Sequence, residues 1–225
     1  MARSALLGSS LTKKYWMALT GLFLCLFLVI HLAGNLQLLD ASPEGRLKFN
    51  AYAKFMTTFP LIKVVSYVLY FSILFHAFDG ILLAMQNRQA RPTRYVKENP
   101  SANRTWYSGQ MALLGTLLLV FIVLHMKHFW YEMHWGGLPV DAEGNTDLFT
   151  VVAAAFREPL YVLFYVVAMA VLGFHLLHGF QSAFQSLGLN HPRYTPIIKN
   201  VGVFFGVVVP ILFALIPVWM FAFPG

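Results

Sequence analysis

The stretch LYVLFYVVAMAVLGFHLLHGFQSAF, residues 160–184, decides the fold class of this protein. It contains no Lys, Arg, Asp or Glu, and it exceeds the roughly 20 apolar residues that a helix needs to cross the hydrocarbon core of a bilayer. Inside lipid the backbone must satisfy its own hydrogen bonds, so such a segment is predicted to be an α-helix. Two histidines, His175 and His178, lie near its end.

Four other stretches have the same character. The predicted spans, first to fifth, are residues 15–39, 61–85, 107–130, 160–184 and 197–223. Hydrophobic residues make up 58% of the 225 residues and charged residues only 11%, which excludes an ordinary soluble domain. The sequence therefore predicts an all-α membrane protein with five transmembrane helices in a single domain, residues 1–225.

The charges outside the spans predict an orientation. Ten Lys and Arg residues fall on the side of the N-terminus and six on the other side, and the more basic side of a membrane protein faces the cytoplasm. We expect a multi-pass protein of the inner (cytoplasmic) membrane with a cytoplasmic N-terminus. The first span is longer than the apolar core of a signal peptide and is expected to be retained. The chain shows no separate basic domain that would bind nucleic acid.

Histidines are the unusual feature of the spans, because ionisable groups inside a bilayer are costly and mark function. The first and third spans run outward, and His31 and His125 lie at similar distances from their outer ends. The second and fourth run inward, and His76 and His175 are matched in the same way. We call these the outer pair and the inner pair. Helical rise predicts that they differ in depth by roughly 10 Å.

Two imidazoles that face each other at one depth can supply both axial ligands of a haem iron. The sequence therefore predicts that four of the five helices form a haem-binding bundle that carries two haems b and transfers electrons across the membrane. Unrelated polar contacts, or the ligands of a metal or haem transporter, are the alternatives. The single Cys25 cannot hold an iron–sulfur cluster, and the chain has no flavin-binding motif, so other chains would supply such groups.

Four segments carry a resemblance to a known family. They are KKYWMALTGLFLCLFLVIHLAGNLQLL (residues 13–39), FHAFDG (75–80), LHMKHFW (124–130) and FHLLHGFQSAFQSLG (174–188). With them the chain resembles the five-helix, two-haem cytochrome b558 membrane-anchor subunit of succinate:quinone oxidoreductases, the succinate dehydrogenases of respiratory complex II. The quinol:fumarate reductases share this type of anchor. The resemblance covers nearly the whole chain.

The resemblance implies that His31 and His125 ligate an outer haem and that His76 and His175 ligate an inner haem. It also implies a flavoprotein subunit and an iron–sulfur subunit on the cytoplasmic face, membrane quinone (often menaquinone) as electron acceptor, and no substrate-oxidising site on this chain. The assembled complex could form a higher oligomer. A cytochrome b subunit of a hydrogenase or formate dehydrogenase is the alternative within redox chemistry.

Further polar residues in or near the spans are candidates for a quinone, propionate or proton site. Asp79 could instead pair with Lys13 or Arg94, and Asn35 and Gln37 could simply cap the first helix. Some members of the family carry an acid where this chain has Met56 and Thr57, so that pattern locates no quinone site here. The candidates are His178, Asp79, Asn35, Gln37 and His128.

Overall fold

The computed structural model describes residues 10–90 and 105–223 of the chain. Within these two ranges helices and connecting loops make up the protein, and the β-structure is one isolated bridge between Val140 and Thr146. Five of its helices are long and apolar enough to cross a membrane. The predicted all-α, multi-pass membrane fold is confirmed at this level.

Seven helices account for most of the described residues. The helices are α1 (Ser10–Asn35), α2 (Pro43–Thr58), α3 (Pro60–Gln89), α4 (Met111–Trp135), α5 (Leu148–Ala155), α6 (Pro159–Ser186) and α7 (Thr195–Ala222). The spans are α1, α3, α4, α6 and α7, and their ends differ from the predicted bounds by up to five residues in either direction. Helix α3, for example, continues to Gln89 instead of ending at residue 85. Composition marks the apolar section of a helix, whereas backbone hydrogen bonding continues past it.

Local chemistry explains where several helices begin and change. Pro60, Pro159 and Pro196 lie in the first turn of their helices, where the missing N–H has no intrahelical partner to lose.

Helix α4 is α-helical to His125, becomes a π-helix over Met126–Tyr131 and then ends with one α-helical turn. Such π segments are frequent at functional sites, and this one begins directly after a predicted ligand.

Two short helices cover the end of the bundle at which the chain terminates, which we call the C-terminal end. Helix α2 lies between the first and second spans, and Ser42 caps its N-terminus by accepting a hydrogen bond from the Gly45 N–H at 3.1 Å. Helix α5 was not predicted, because its eight residues are too few to show a helical period. Asn50 of α2 is 1% exposed and accepts a hydrogen bond from the Phe149 N–H at 3.0 Å.

Helices α6 and α7 make the most extensive contact between spans. Glycines allow it: a Cβ on Gly206 would lie 3.0 Å from the Leu177 nitrogen, and one on Gly202 would lie 3.0 Å from the Phe180 ring. The sequence Gly-Val-Phe-Phe-Gly of the fifth span therefore packs its two glycines against α6, in the way small residues commonly do between membrane helices. Among the five spans, α7 carries no histidine, and its glycines serve to pack it against α6.

Replacing Gly206 by Val should destabilise the protein by about 1–3 kcal/mol, because the added atoms meet both the backbone nitrogen and the side chain of Leu177 on α6, and the backbone cannot easily move away. The midpoint of thermal unfolding in detergent measures the effect. Val203 lies on the same helix and is 55% exposed, so Val203→Ala is the matched control and should stay within about 0.5 kcal/mol of the wild type. Equal losses in the two variants would contradict this account of the interface.

Candidate functional site: two histidine pairs

The structure brings His76 of α3 and His175 of α6 together as the inner pair. Their ring centroids are 6.2 Å apart and the ring planes are inclined by 65°. Thr20 Oγ1 of α1 lies 3.2 Å from His76 Nδ1. His175 Nδ1 is buried and has no hydrogen-bond partner within the described ranges. A buried imidazole nitrogen without a partner is costly, so this ring has hydrogen-bonding or ligating capacity that the protein itself does not use.

Glycines surround the inner pair closely. A Cβ on Gly21 of α1 would lie 3.3 Å from His76 Cε1, and a Cβ on Gly115 of α4 would lie 3.8 Å from His175 Cε1. The two helices that do not carry these rings, α1 and α4, therefore each approach one of them at a glycine. Four helices, α1, α3, α4 and α6, enclose the inner pair.

The outer pair consists of His31 of α1 and His125 of α4. Their ring centroids are 5.8 Å apart and the planes are perpendicular, at 90°. Phe27 stacks on His31 at 5.0 Å, and Phe121 stacks on His125 at 5.6 Å. The hydroxyl of Tyr165 on α6 lies 3.0 Å from His125 Nδ1. Aromatic rings therefore orient both imidazoles of this pair.

The two pairs lie at different levels of the bundle. Gly21, which touches His76, and His31 are ten residues apart on α1, and Gly115, which touches His175, and His125 are ten residues apart on α4. Both helices therefore give a separation of about 15 Å by helical rise. This separation is larger than the roughly 10 Å predicted from residue counts to the ends of the spans.

His178 lies one turn beyond His175 on α6 and is half-buried. The ring that faces His76 is that of His175, and within the described residues no hydrogen bond or ring contact joins His178 to another side chain. The two histidines of this turn therefore have different neighbours.

Asp79 of α3 is 3% exposed, and its Oδ2 has no hydrogen-bond partner among residues 10–90 and 105–223. Lys13 lies near enough to attract the Asp79 carboxylate electrostatically, but the two groups are more than 4.0 Å apart. Within the described residues, the ion pair found at that distance joins Lys127 and Glu132. Asp79 and Lys13, which were considered as a pair, therefore do not form a direct ion pair. The other possible partner, Arg94, lies outside the described residues.

Asn35 and Gln37 lie at the end of α1, near the outer pair. The Asn35 side-chain amide donates to the His31 carbonyl at 2.8 Å and lies 3.3 Å from His31 Nδ1. It therefore closes the last turn of the helix and contacts a predicted ligand at the same time. Gln37 is half-buried in the 3-10 turn Leu36–Leu39, where its carbonyl accepts from the Asp40 N–H at 3.2 Å.

His128 opens onto a groove at the C-terminal end. The groove has a volume of about 580 Å³, and its polar lining comes from His128, Glu132, Glu158 and Tyr161. The Tyr161 hydroxyl lies 2.5 Å from His128 Nδ1. His128 was a candidate from its position in the sequence, whereas the tyrosines of α6 were not. The spacing of Tyr161 and Tyr165, four residues apart on one helical face, was the available signal.

Histidine, cysteine, aspartate and glutamate side chains do not form a group of three or more that could hold a metal ion in the described parts of the chain. The potential ligands come in twos, on facing helices. Comparison with protein-family models, with curated proteins and with solved structures returned no match for this chain.

Proposed function

We propose that this protein is the dihaem cytochrome b membrane anchor of a succinate:quinone oxidoreductase, with His31 and His125 holding one haem and His76 and His175 the other. The observation that carries the proposal is the pairing of four histidines from four different helices into two couples at two levels. Haem b supplies reversible one-electron transfer, and bis-histidine ligation leaves its iron without an open position for oxygen.

The donor set fits this role. A metal bonded to two opposed imidazole nitrogens, at about 2 Å each, spaces the two ring centroids by about 6 Å, and the pairs measure 6.2 and 5.8 Å. Gly21 and Gly115 lie close to the inner rings, where small residues would let the helices pack around a flat macrocycle.

The groove beside His128 is the place we propose for membrane quinone. Leu160 and Phe164 give it apolar walls, while His128 and Tyr161 offer N–H and O–H groups to a carbonyl oxygen. Glu132 and Glu158 provide carboxylates that can hold or pass a proton. Together these residues would bind a quinone ring, orient its oxygen toward the outer pair and exchange protons with the adjacent surface.

The opposite end of the bundle is the proposed docking face of the flavoprotein and iron–sulfur subunits, with the N-terminus in the cytoplasm. Lys13, Lys14 and Arg88 lie at this end, in keeping with the basic side of a membrane protein. His175 and His76 belong to the pair nearer this face. Electrons from succinate would therefore reach the inner pair first and the outer pair second.

Purification of the native complex through a tag on this chain tests the assignment. We expect a flavoprotein and an iron–sulfur polypeptide to co-purify, and added succinate to reduce the bound haem. Co-purification of hydrogenase or formate dehydrogenase polypeptides instead would overturn the succinate assignment but leave the assignment as a cytochrome b standing. A chain that purifies without tightly bound haem would favour a metal or haem transporter instead.

A further inference from the structure

A continuous set of hydrogen-bond distances joins the outer pair to the groove. His125 Nδ1 lies 3.0 Å from the Tyr165 hydroxyl, which lies 3.4 Å from the Tyr161 hydroxyl, which lies 2.5 Å from His128 Nδ1. Tyr165 is only 6% exposed, whereas Tyr161 and His128 line the groove. The four side chains therefore connect a buried imidazole to a surface open to a ligand.

The sequence spacing builds this connection. Tyr161 and Tyr165 are one turn apart on α6, with ring centroids 4.9 Å apart, and His125 and His128 are about one turn apart on α4. The two helices contact each other, so each histidine meets one tyrosine. Phe129 and Phe156 pack against Tyr165 at 6.3 and 5.1 Å and hold its ring in place.

Ligation of a metal through His125 Nε2 would fix the direction of the first hydrogen bond and favour one direction for the two that follow, because a Tyr165 hydroxyl that accepts from His125 keeps its own hydrogen to donate. A neutral imidazole that binds through Nε2 carries its proton on Nδ1, so His125 Nδ1–H donates to Tyr165. Tyr165 O–H then donates to Tyr161, and Tyr161 O–H donates to His128 Nδ1. The reverse direction would require His125 Nδ1 to accept, with its proton on Nε2, where the metal binds.

We propose that Tyr165 and Tyr161 form a relay that orients the His125 imidazole and makes His128 a hydrogen-bond donor to the groove through Nε2–H. The inference rests on the proposed function and deepens it. Tyr165 is a positioning residue for the outer pair, and the groove ligand is one that presents a hydrogen-bond acceptor, such as a quinone carbonyl. Binding of that carbonyl and the electronic state of the His125 ring are then linked through one directed chain.

The inner pair lacks such a relay in the described chain. His76 Nδ1 meets the single hydroxyl of Thr20, and His175 Nδ1 has no partner there. An acceptor on the far nitrogen of a ligating imidazole raises the basicity of that ligand and favours the oxidised metal. The relay should therefore lower the reduction potential of the outer haem and leave that of the inner haem unaffected.

Redox titration of the purified complex carrying Tyr165→Phe tests the relay. Loss of the hydroxyl should favour reduction of the outer haem by about tenfold at a given potential, which equals about 59 mV for one electron, with the inner haem unchanged. Tyr161→Phe keeps the contact between Tyr165 and His125. It should therefore shift the reduction potential of the outer haem in the same direction by a smaller amount, and it should weaken quinone binding. The matched control is Tyr70→Phe, since Tyr70 accepts from Trp130 Nε1 at 2.7 Å outside the relay.

The outcomes separate this inference from the proposed function. Two haems per chain without a shift in Tyr165→Phe, or an equal shift in Tyr70→Phe, would overturn the relay and leave the cytochrome assignment standing. A wild-type protein without haem would overturn both. If Tyr165→Phe loses the outer haem, Tyr161→Phe carries the test, and an unchanged outer potential together with unchanged quinone affinity in that variant would refute the relay.

Discussion

Replacing His175 by Ala should remove one of the two haems, the inner one, and leave the outer haem bound. His175 supplies the ring that faces His76 at 6.2 Å, and within the described residues no other imidazole contacts His76. A haem b that depends on two axial imidazoles is not retained tightly by one. Haem content per chain should therefore fall by about half, as measured by pyridine haemochrome assay against protein concentration.

His178→Ala is the matched control for this experiment. His178 lies one turn away on the same helix and is half-buried like His175, but it does not face His76. The variant should keep both haems, whatever effect it has on electron delivery from the docked subunits. Loss of haem in His178→Ala and its retention in His175→Ala would show that the ligand has been assigned to the wrong histidine.

Replacing Asn50 by Leu should loosen the cover formed by α2 and α5. The Asn50 amide donates to Asp141 Oδ2 and to Asp147 Oδ1, both at 3.1 Å, and its oxygen accepts from the Phe149 N–H at 3.0 Å. A leucine fills the space but leaves a buried N–H and two carboxylates without that partner. We expect a local loss of about 3 kcal/mol.

Hydrogen exchange of the Phe149 amide measures this loss directly, and about 3 kcal/mol corresponds to exchange about 100-fold faster. Asn190→Leu is the control, because Asn190 is exposed in the loop at the opposite end of the bundle. Unchanged protection of Phe149 in the Asn50 variant would show that the two helices are held by their apolar contacts alone.

The same cover should weaken in acid. Burial alone would raise the pKa of Asp141 and Asp147, but hydrogen bonds outweigh it: the Asn145 N–H and the Asn50 amide reach Asp141, and the Thr150 hydroxyl and the Asn50 amide reach Asp147. Both pKa values are therefore lowered from 3.8. A lowered folded-state pKa gives stability that is present above 3.8 and is lost as the pH falls below it.

The protection factor of Phe149, corrected for intrinsic exchange, should therefore decline below about pH 4 in the wild type. The Asn50→Leu variant has already lost one shared donor, so its decline should be smaller. A steeper decline in the variant than in the wild type would contradict the role given to Asn50.

Hydrophobicity and histidine spacing predicted much of this molecule. Apolar length alone predicts five spans, because lipid leaves the backbone no other way to satisfy its hydrogen bonds. The matching of His31 with His125 and of His76 with His175 needed only residue counts, since helical rise converts sequence position into depth. The rings that were matched in this way meet in the structure.

Features that depend on how helices rotate against each other could not be predicted. Tyr161 and Tyr165 read as ordinary aromatic residues of an apolar span until α6 is placed with that face against α4. The groove requires Glu132 and Glu158, which belong to two different helix ends and converge only in three dimensions. Helix α5 is short and is held by Asn50 from a segment about 100 residues away, a contact that no local pattern reveals.

The most direct test of the central proposal is haem quantitation with a reduced-minus-oxidised spectrum of the purified, native complex. The account predicts two low-spin haems b per copy of this chain, with His31, His125, His76 and His175 as their ligands. A complex purified intact with no haem b, or with one, would contradict it.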